Sequence, residues 1–214
     1  MATQRGTVFT ISAPSGAGKT SLVKALLERD EQLQVSVSHT TRPMRAGEIN
    51  GVNYHFVSDS EFRAMAAQQA FVECAEVFGH WYGTSVEAIN TARADNTDII
   101  LEIDWQGAEQ IKAVWPDASA IFILPPSHRT LKQRLEGRGQ DSAAVIQQRL
   151  DEAELEMSHY TIADYLVVND VFEDALGNIR DIVSAERLRT NRQAIALQDL
   201  LCDLMPSTAL RNPA

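Results

Sequence analysis

The chain has 214 residues, 44% of them hydrophobic and 22% charged, with a formal net charge of −10. That is enough for one domain with a real core plus inserts, of ordinary soluble composition, and the acidic balance excludes a broad nucleic-acid surface. No apolar run is long enough to span a membrane, and Cys74 and Cys202, far apart and without CxxC spacing, point to a reducing cytoplasm rather than a disulfide scaffold.

The chain reads as alternating strand and helix. An apolar stretch from Thr7 to Ile11 predicts a first strand near 7–12, close enough to Met1 that no secretory leader is expected. Next comes Ser12-Ala13-Pro14-Ser15-Gly16-Ala17-Gly18-Lys19-Thr20, and a helix is expected over 19–29. Further strands are expected near 35–39, 98–103, 119–124 and 164–168, the last three as apolar runs typical of parallel strands covered on both faces. Helices are expected near 106–114, 127–136, 142–157 and 173–202. Two segments interrupt the alternation. In about 38–84, Asn53–Val57 alternates like a half-exposed strand, and Ser58 with Glu61 makes a capping box for a short helix. About 126–158 is helical, bears arginines and is broken at Gly137-Arg138-Gly139. The order specifies an α/β protein with a parallel sheet, carrying a substrate clamp and a closing lid as inserts. The tail 206–214 is expected to be flexible.

Strand, glycine-rich turn and helix in succession make Ala13–Ser21 a phosphate-binding loop. Small residues let backbone N–H groups converge on a polyphosphate, and the helix N-terminus adds partial positive charge. Lys19 is placed to reach the β- and γ-phosphates and the Thr20 hydroxyl to bind Mg²⁺. Ala13 stands where glycine is commoner, which a negative φ tolerates.

Three polar groups follow. Ser38 to Tyr54 carries Arg42 and Arg45, three apart, with hydroxyls, glycines and Tyr54. Two guanidinium forks and a phenol suit a monophosphate. Glu73 precedes Tyr82 and Thr84. Glu102 and Asp104 lie at the C-terminal end of an apolar strand, the edge where open α/β sheets bind ligands, and two carboxylates there are costly unless they face a metal or ligand. The five histidines lack metal-ligand spacing, so no protein-ligated structural metal is expected. His39 and His55 read as loop and surface residues, and Trp81, Trp105 and Trp115 as packing residues. Leu188–Leu204 reads as an amphipathic helix suited either to packing on the core or to a homo-oligomer contact.

The segments SAPSGAGK, SVSHTTRPMRAGEINGVNYHF, FVECAEVFGHWYGT, LEIDWQG, FILPPS, RLEGRGQD and MSHYTIADYLVVND, in this order, resemble the guanylate kinases of bacteria over about residues 5–190. The resemblance implies a P-loop NTPase parallel-sheet core flanked by helices, with a small mixed α/β GMP-binding insert and a helical lid. The core comprises 1–37, 85–125 and 159–205, the GMP-binding subdomain 38–84 and the lid 126–158. It implies Mg²⁺-dependent transfer of the γ-phosphoryl of ATP to GMP, without nucleic-acid or membrane partners. By the same resemblance Arg42, Arg45, Tyr54 and Tyr82 hold the GMP phosphate, while Ser38, Glu73, Thr84 and Asp104 read guanine. Carboxylate acceptors suit the N1–H and amino donors of guanine, whereas adenine, with an acceptor at N1, would leave a carboxylate unpaired. Asn169 matches a position near the ATP adenine, and Arg134, Arg138 and Arg149 match lid arginines that close on the transferring phosphate. The chain departs from the family at Glu102, where Asp is usual and where the longer side chain reaches Mg²⁺ through water, and at Thr84, where Ser is common. Two other readings stay open: a different P-loop small-molecule kinase, or a non-catalytic interaction module on the same scaffold.

Overall fold

The computed structural model describes residues 5–77, 79–137 and 143–205. Five strands form a wholly parallel sheet: β1 (Val8–Ser12), β2 (Leu33–Val35), β7 (Asp98–Glu102), β8 (Ser119–Leu124) and β9 (Tyr165–Val168), in the order β2-β7-β1-β8-β9. Period-2 alternation divides their side chains between two cores. On one face Phe9, Ile11, Ile100, Ile121 and Ile123 pack with Leu22, Val23 and Leu26 of α1 (Lys19–Leu27) and with Ala175, Leu176, Ile179 and Val183 of α7 (Phe172–Arg187). On the other, Val8, Ile99 and Leu101 pack with Ile89 and Ala92 of α3 (Val86–Ala94) and with Ala108 and Ile111 of α4 (Trp105–Val114). Central strands buried on both faces explain the continuous apolar runs.

The last strand departs from that expectation. Val167 is buried, but Leu166 and Val168 are each 50% exposed, because α7 packs on one face of this edge strand only.

A second sheet, in the order β4-β3-β6-β5, is built from β3 (His39–Thr40), β4 (His55–Phe56), β5 (Phe71–Val77) and β6 (His80–Ser85). It is mixed: β3 pairs parallel with β4 and antiparallel with β6, and β5 pairs antiparallel with β6. The single strand expected over 35–39 is therefore two pieces. β2 ends at Val35 in the first sheet and β3 starts at His39 in the second, with buried Ser36 and Ser38 at the crossing. His39 and His55 are half-buried rather than surface residues, and they stack on each other with ring centroids 4.6 Å apart. The capping box forms as the spacing predicts. Ser58 accepts from the Glu61 N–H and Glu61 from the Ser58 N–H, opening α2 (Asp59–Ala67), which buries Phe62.

Beyond β8, α5 (His128–Glu136) and α6 (Ala143–Ser158) pack together through Leu131, Leu135 and Ala153. The helix expected over 173–202 is broken into α7, α8 (Thr190–Ala196) and α9 (Gln198–Leu204). One reason is an ion cluster at the end of α7. Asp98, its side chain 5% exposed, accepts from Arg187 Nε at 2.6 Å, Arg192 Nη2 at 3.2 Å and the Thr7 N–H at 2.6 Å. Arg187 also pairs with Asp30 at 2.7 Å. Folding Arg192 back onto the residue that receives Arg187 requires the chain to turn between α7 and α8. No helix among the described residues is long and apolar enough to cross a membrane. The tail 206–214 lies outside the described residues.

Candidate active site

The C-terminal ends of β1 and β7 face the second sheet across a cleft of about 500 Å³. Its walls include Ala13–Gly16, Gly18–Ser21, Ser38, Arg42, Arg45, Tyr54, Glu73, Tyr82, Glu102, Asp104 and Glu156. Residues 12–20 form a tight turn between β1 and α1 in which Gly16 and Gly18 take φ of 90° and 95°, the left-handed region that favours glycine. Ala17 donates its N–H to Pro14 O at 3.0 Å. The N-terminus of α1 has no side-chain cap, so its first N–H groups remain turned toward the cleft as an anion site. From the far side Asn169, 4% exposed, donates Nδ2 to Ala17 O at 2.7 Å. A Cβ on Gly18 would collide with the same amide nitrogen. Asn169 thus braces the loop from behind and does not line the cleft.

Lys19 turns back over the strand ends, with Nζ 3.4 Å from Ile103 O. Thr20 donates its hydroxyl to Glu102 Oε2 at 3.0 Å. A hydroxyl and a carboxylate side by side are hard oxygen ligands of the kind Mg²⁺ takes in small number, with substrate phosphate and water completing its shell. Among the described residues no cluster of three or more His, Cys, Asp or Glu is placed to hold a metal.

At the opposite end Glu73 on β5 is 4% exposed and accepts from the Thr84 hydroxyl of β6, which stands 3.3 Å from Ser38 Oγ. Burial pushes the Glu73 carboxyl up to about 7; the Thr84 hydrogen bond opposes the shift and the Asp104 charge adds to it. Asp104 caps α4, accepting from the Gly107 N–H at 2.9 Å with one oxygen and from Gln106 Nε2 at 3.1 Å with the other. Two acidic side chains and two hydroxyls therefore converge from both sheets.

Arg42 lies between these ends, 9% exposed. Glu48 grips both its terminal nitrogens, at 2.7 and 3.0 Å, and also accepts the Arg45 N–H at 2.6 Å. The Arg42 guanidinium is 5.5 Å from the Tyr54 ring centroid, and Tyr54 meets Tyr82 edge to face with centroids 5.8 Å apart. Burial pushes the Tyr54 hydroxyl up to about 12, so the phenol keeps its proton and can donate. Arg45 is exposed at the rim.

Arg134 and Arg149, two of the arginines expected on the lid, lie on α5 and α6. Arg134 on α5 does not line the cleft; its Nη2 donates to Asn169 O at 2.9 Å and its Nη1 approaches Ala17 O at 3.5 Å. Arg149 is half-buried on α6, also outside the cleft lining. Arg138 lies outside the described residues. Sequence reasoning missed Glu48, which orients Arg42 from six residues away, and Glu156, which enters the cleft from α6. Only their acidity marked them, and acidic side chains on loops and helices are usually solvated.

A guanylate kinase family model matches residues 5–186. The guanylate kinase of Shewanella oneidensis is 53% identical over 204 residues, covering 95% of this chain and 99% of the relative. That of Hahella chejuensis is 55% identical over 203 residues, covering 95% and 98%. The crystal structure of guanylate kinase from Anaplasma phagocytophilum superposes with a TM-score of 0.79 at 33% identity, covering 95% of this chain and 97% of that one.

Proposed function

The chain belongs to the guanylate kinase family, and from that premise we infer that it transfers the γ-phosphoryl group of ATP to GMP, giving ADP and GDP. The observation that carries this reading is one cleft with a phosphate loop at one end and a buried carboxylate–hydroxyl cluster at the other. Residues 13–21 bind the ATP phosphates, and Asn169 supports the loop near the adenine end. Arg42, Arg45, Tyr54 and Tyr82 hold the GMP phosphate, with Glu48 fixing the Arg42 guanidinium. Ser38, Glu73, Thr84 and Asp104 read the guanine edge. Glu73 and Asp104 accept from N1–H and the exocyclic amine, and AMP would leave such a carboxylate unpaired.

The acceptor is a phosphate oxygen already largely ionised at neutral pH, so no general base is required. Catalysis is alignment and charge stabilisation. Lys19 places its ammonium on the transferring group. Thr20 and Glu102 would hold Mg²⁺, which would supply charge neutralisation of the nucleotide phosphates. Arg134, Arg138 and Arg149, carried by the 126–158 insert, bring further positive charge when that insert and the 38–84 insert close and exclude water. The free thiols Cys74 and Cys202 support a cytoplasmic setting.

The test is ADP release from Mg·ATP in a coupled assay with GMP, dGMP, AMP, UMP and CMP offered separately. Strong turnover with GMP and little with AMP supports the reading; a preference for AMP or UMP overturns the guanine assignment. Lys19→Met is expected to lower kcat by about a thousandfold or more while GMP binding, followed by calorimetry, changes little. Normal turnover in that variant would remove Lys19 from the chemistry.

A further inference from the structure

Glu156 has no part in the mechanism above, yet from the last turn of α6 it lines the same cleft as Ser15, Lys19 and Asp104. Among the described residues its Oε2 is buried without a hydrogen-bond partner, a costly arrangement for a carboxylate. Burial pushes its pKa up to about 7; the Lys19 ammonium opposes that shift, the Asp104 charge adds to it and the Ser15 N–H opposes it. The group therefore feels both the cation and an amide of the phosphate loop.

What keeps it there is the adjoining turn. His159 donates its N–H to Glu156 O at 3.2 Å. Its ring lies flat on Trp105, with centroids 3.5 Å apart and planes 1° from parallel. Trp105 is the first residue of α4, next to Asp104. The end of α6 is thus pinned to the helix that Asp104 caps, and the pinned turn carries a carboxylate into the lining of the cleft.

We propose that Glu156 is a positioning residue that competes with donor-nucleotide phosphate for Lys19 and the loop amide. Phosphate must displace the carboxylate to bind, and the displacement shifts the end of α6 against Trp105. In the reverse direction the returning carboxylate favours departure of ADP. The inference rests on residues 12–20 being the phosphate loop.

The experiment is calorimetric titration of the full-length protein with Mg·ADP, comparing wild type, Glu156→Gln and Glu156→Ala. Neutralising an anion that opposes phosphate is expected to tighten ADP binding about tenfold or more in both variants, with a smaller effect on GMP and slower ADP release in stopped flow. ADP should also change the tryptophan emission of the wild type, and Trp105→Phe should abolish that change. Unchanged or weaker ADP binding in both variants would make Glu156 a support of the loop and overturn the proposal. An emission change that survives Trp105→Phe would overturn the coupling to α6. If the wild type itself failed to bind ADP, the phosphate-loop reading would fall, and the proposal with it.

Discussion

Glu73 shows what a buried carboxylate costs. Its carboxyl is buried and titrates near 7, so the folded protein binds this proton more tightly than the unfolded chain does. Stability must therefore fall as pH rises from about 4.5 to 7. Glu73→Gln removes the ionised form and leaves an oxygen to accept from Thr84. The variant is expected to be more stable than wild type at pH 8, on the order of 2–3 kcal/mol, and the gap should close below pH 4.5; urea unfolding at the two pH values checks this. The same substitution should erode discrimination between GMP and AMP. Only the ionised carboxylate accepts fully from guanine, so GMP affinity of the wild type relative to the variant should rise between pH 6 and 8. Parallel pH profiles, or an unchanged GMP preference, would take Glu73 out of guanine readout.

Among the elements, α4 shows how a helix N-terminus can be both structure and site. Asp104 caps it, Trp105 pins it to the end of α6, and Gly107 in its first turn sits against Glu73. A Cβ at 107 would lie 2.8 Å from Glu73 Oε2 and 3.2 Å from Ile103 Cβ. Alanine is the better helix former by roughly 1 kcal/mol, so Gly107→Ala should leave the fold near wild-type stability while pushing the Glu73 carboxylate off its position. The expected result is a KM for GMP raised several-fold with the KM for ATP little changed. Equal effects on both substrates would show a general distortion of the cleft instead. Neither the glycine nor its neighbour announces this contact in sequence, because residues 73 and 107 meet only where α4 packs on β5.

Across the whole molecule, the buried Asp98 cluster ties the first strand, β7 and the C-terminal helices together. Burial alone would raise the Asp98 pKa, but the hydrogen bonds from Arg187 and the Thr7 N–H and the charges of Arg192 and Arg187 outweigh it, and the group lies below its ordinary value. Its stabilisation is therefore present above the unfolded aspartate pKa, near 3.9, and is lost as pH falls through the folded one. Asp98→Asn leaves two part-buried guanidiniums short of a counter-charge. The expected loss is about 3–5 kcal/mol, seen as a lower urea midpoint with an unchanged slope. It should come with a weaker dependence of stability on pH below 5. A loss under 1 kcal/mol would mean that the C-terminal helices are held by apolar packing alone.

Read from residue order, the chain already determines the parallel α/β core, the glycine-rich turn between β1 and α1 and the capping box at Ser58. Each rests on local chemistry: continuous apolar runs, glycines at positive φ and a serine–glutamate pair within one turn. Its motifs also name most residues that line the cleft. Only the tertiary structure decides that 35–39 splits between two sheets, that β9 leaves one face exposed, and that the long C-terminal helix breaks where Arg192 folds back to Asp98. It alone brings Glu48 onto Arg42, sets Arg134 and Asn169 behind the loop, and puts Glu156 into the lining of the cleft. These are contacts between segments far apart or across a turn, set by packing and ion pairing rather than by local propensity, and no spacing along the chain encodes them.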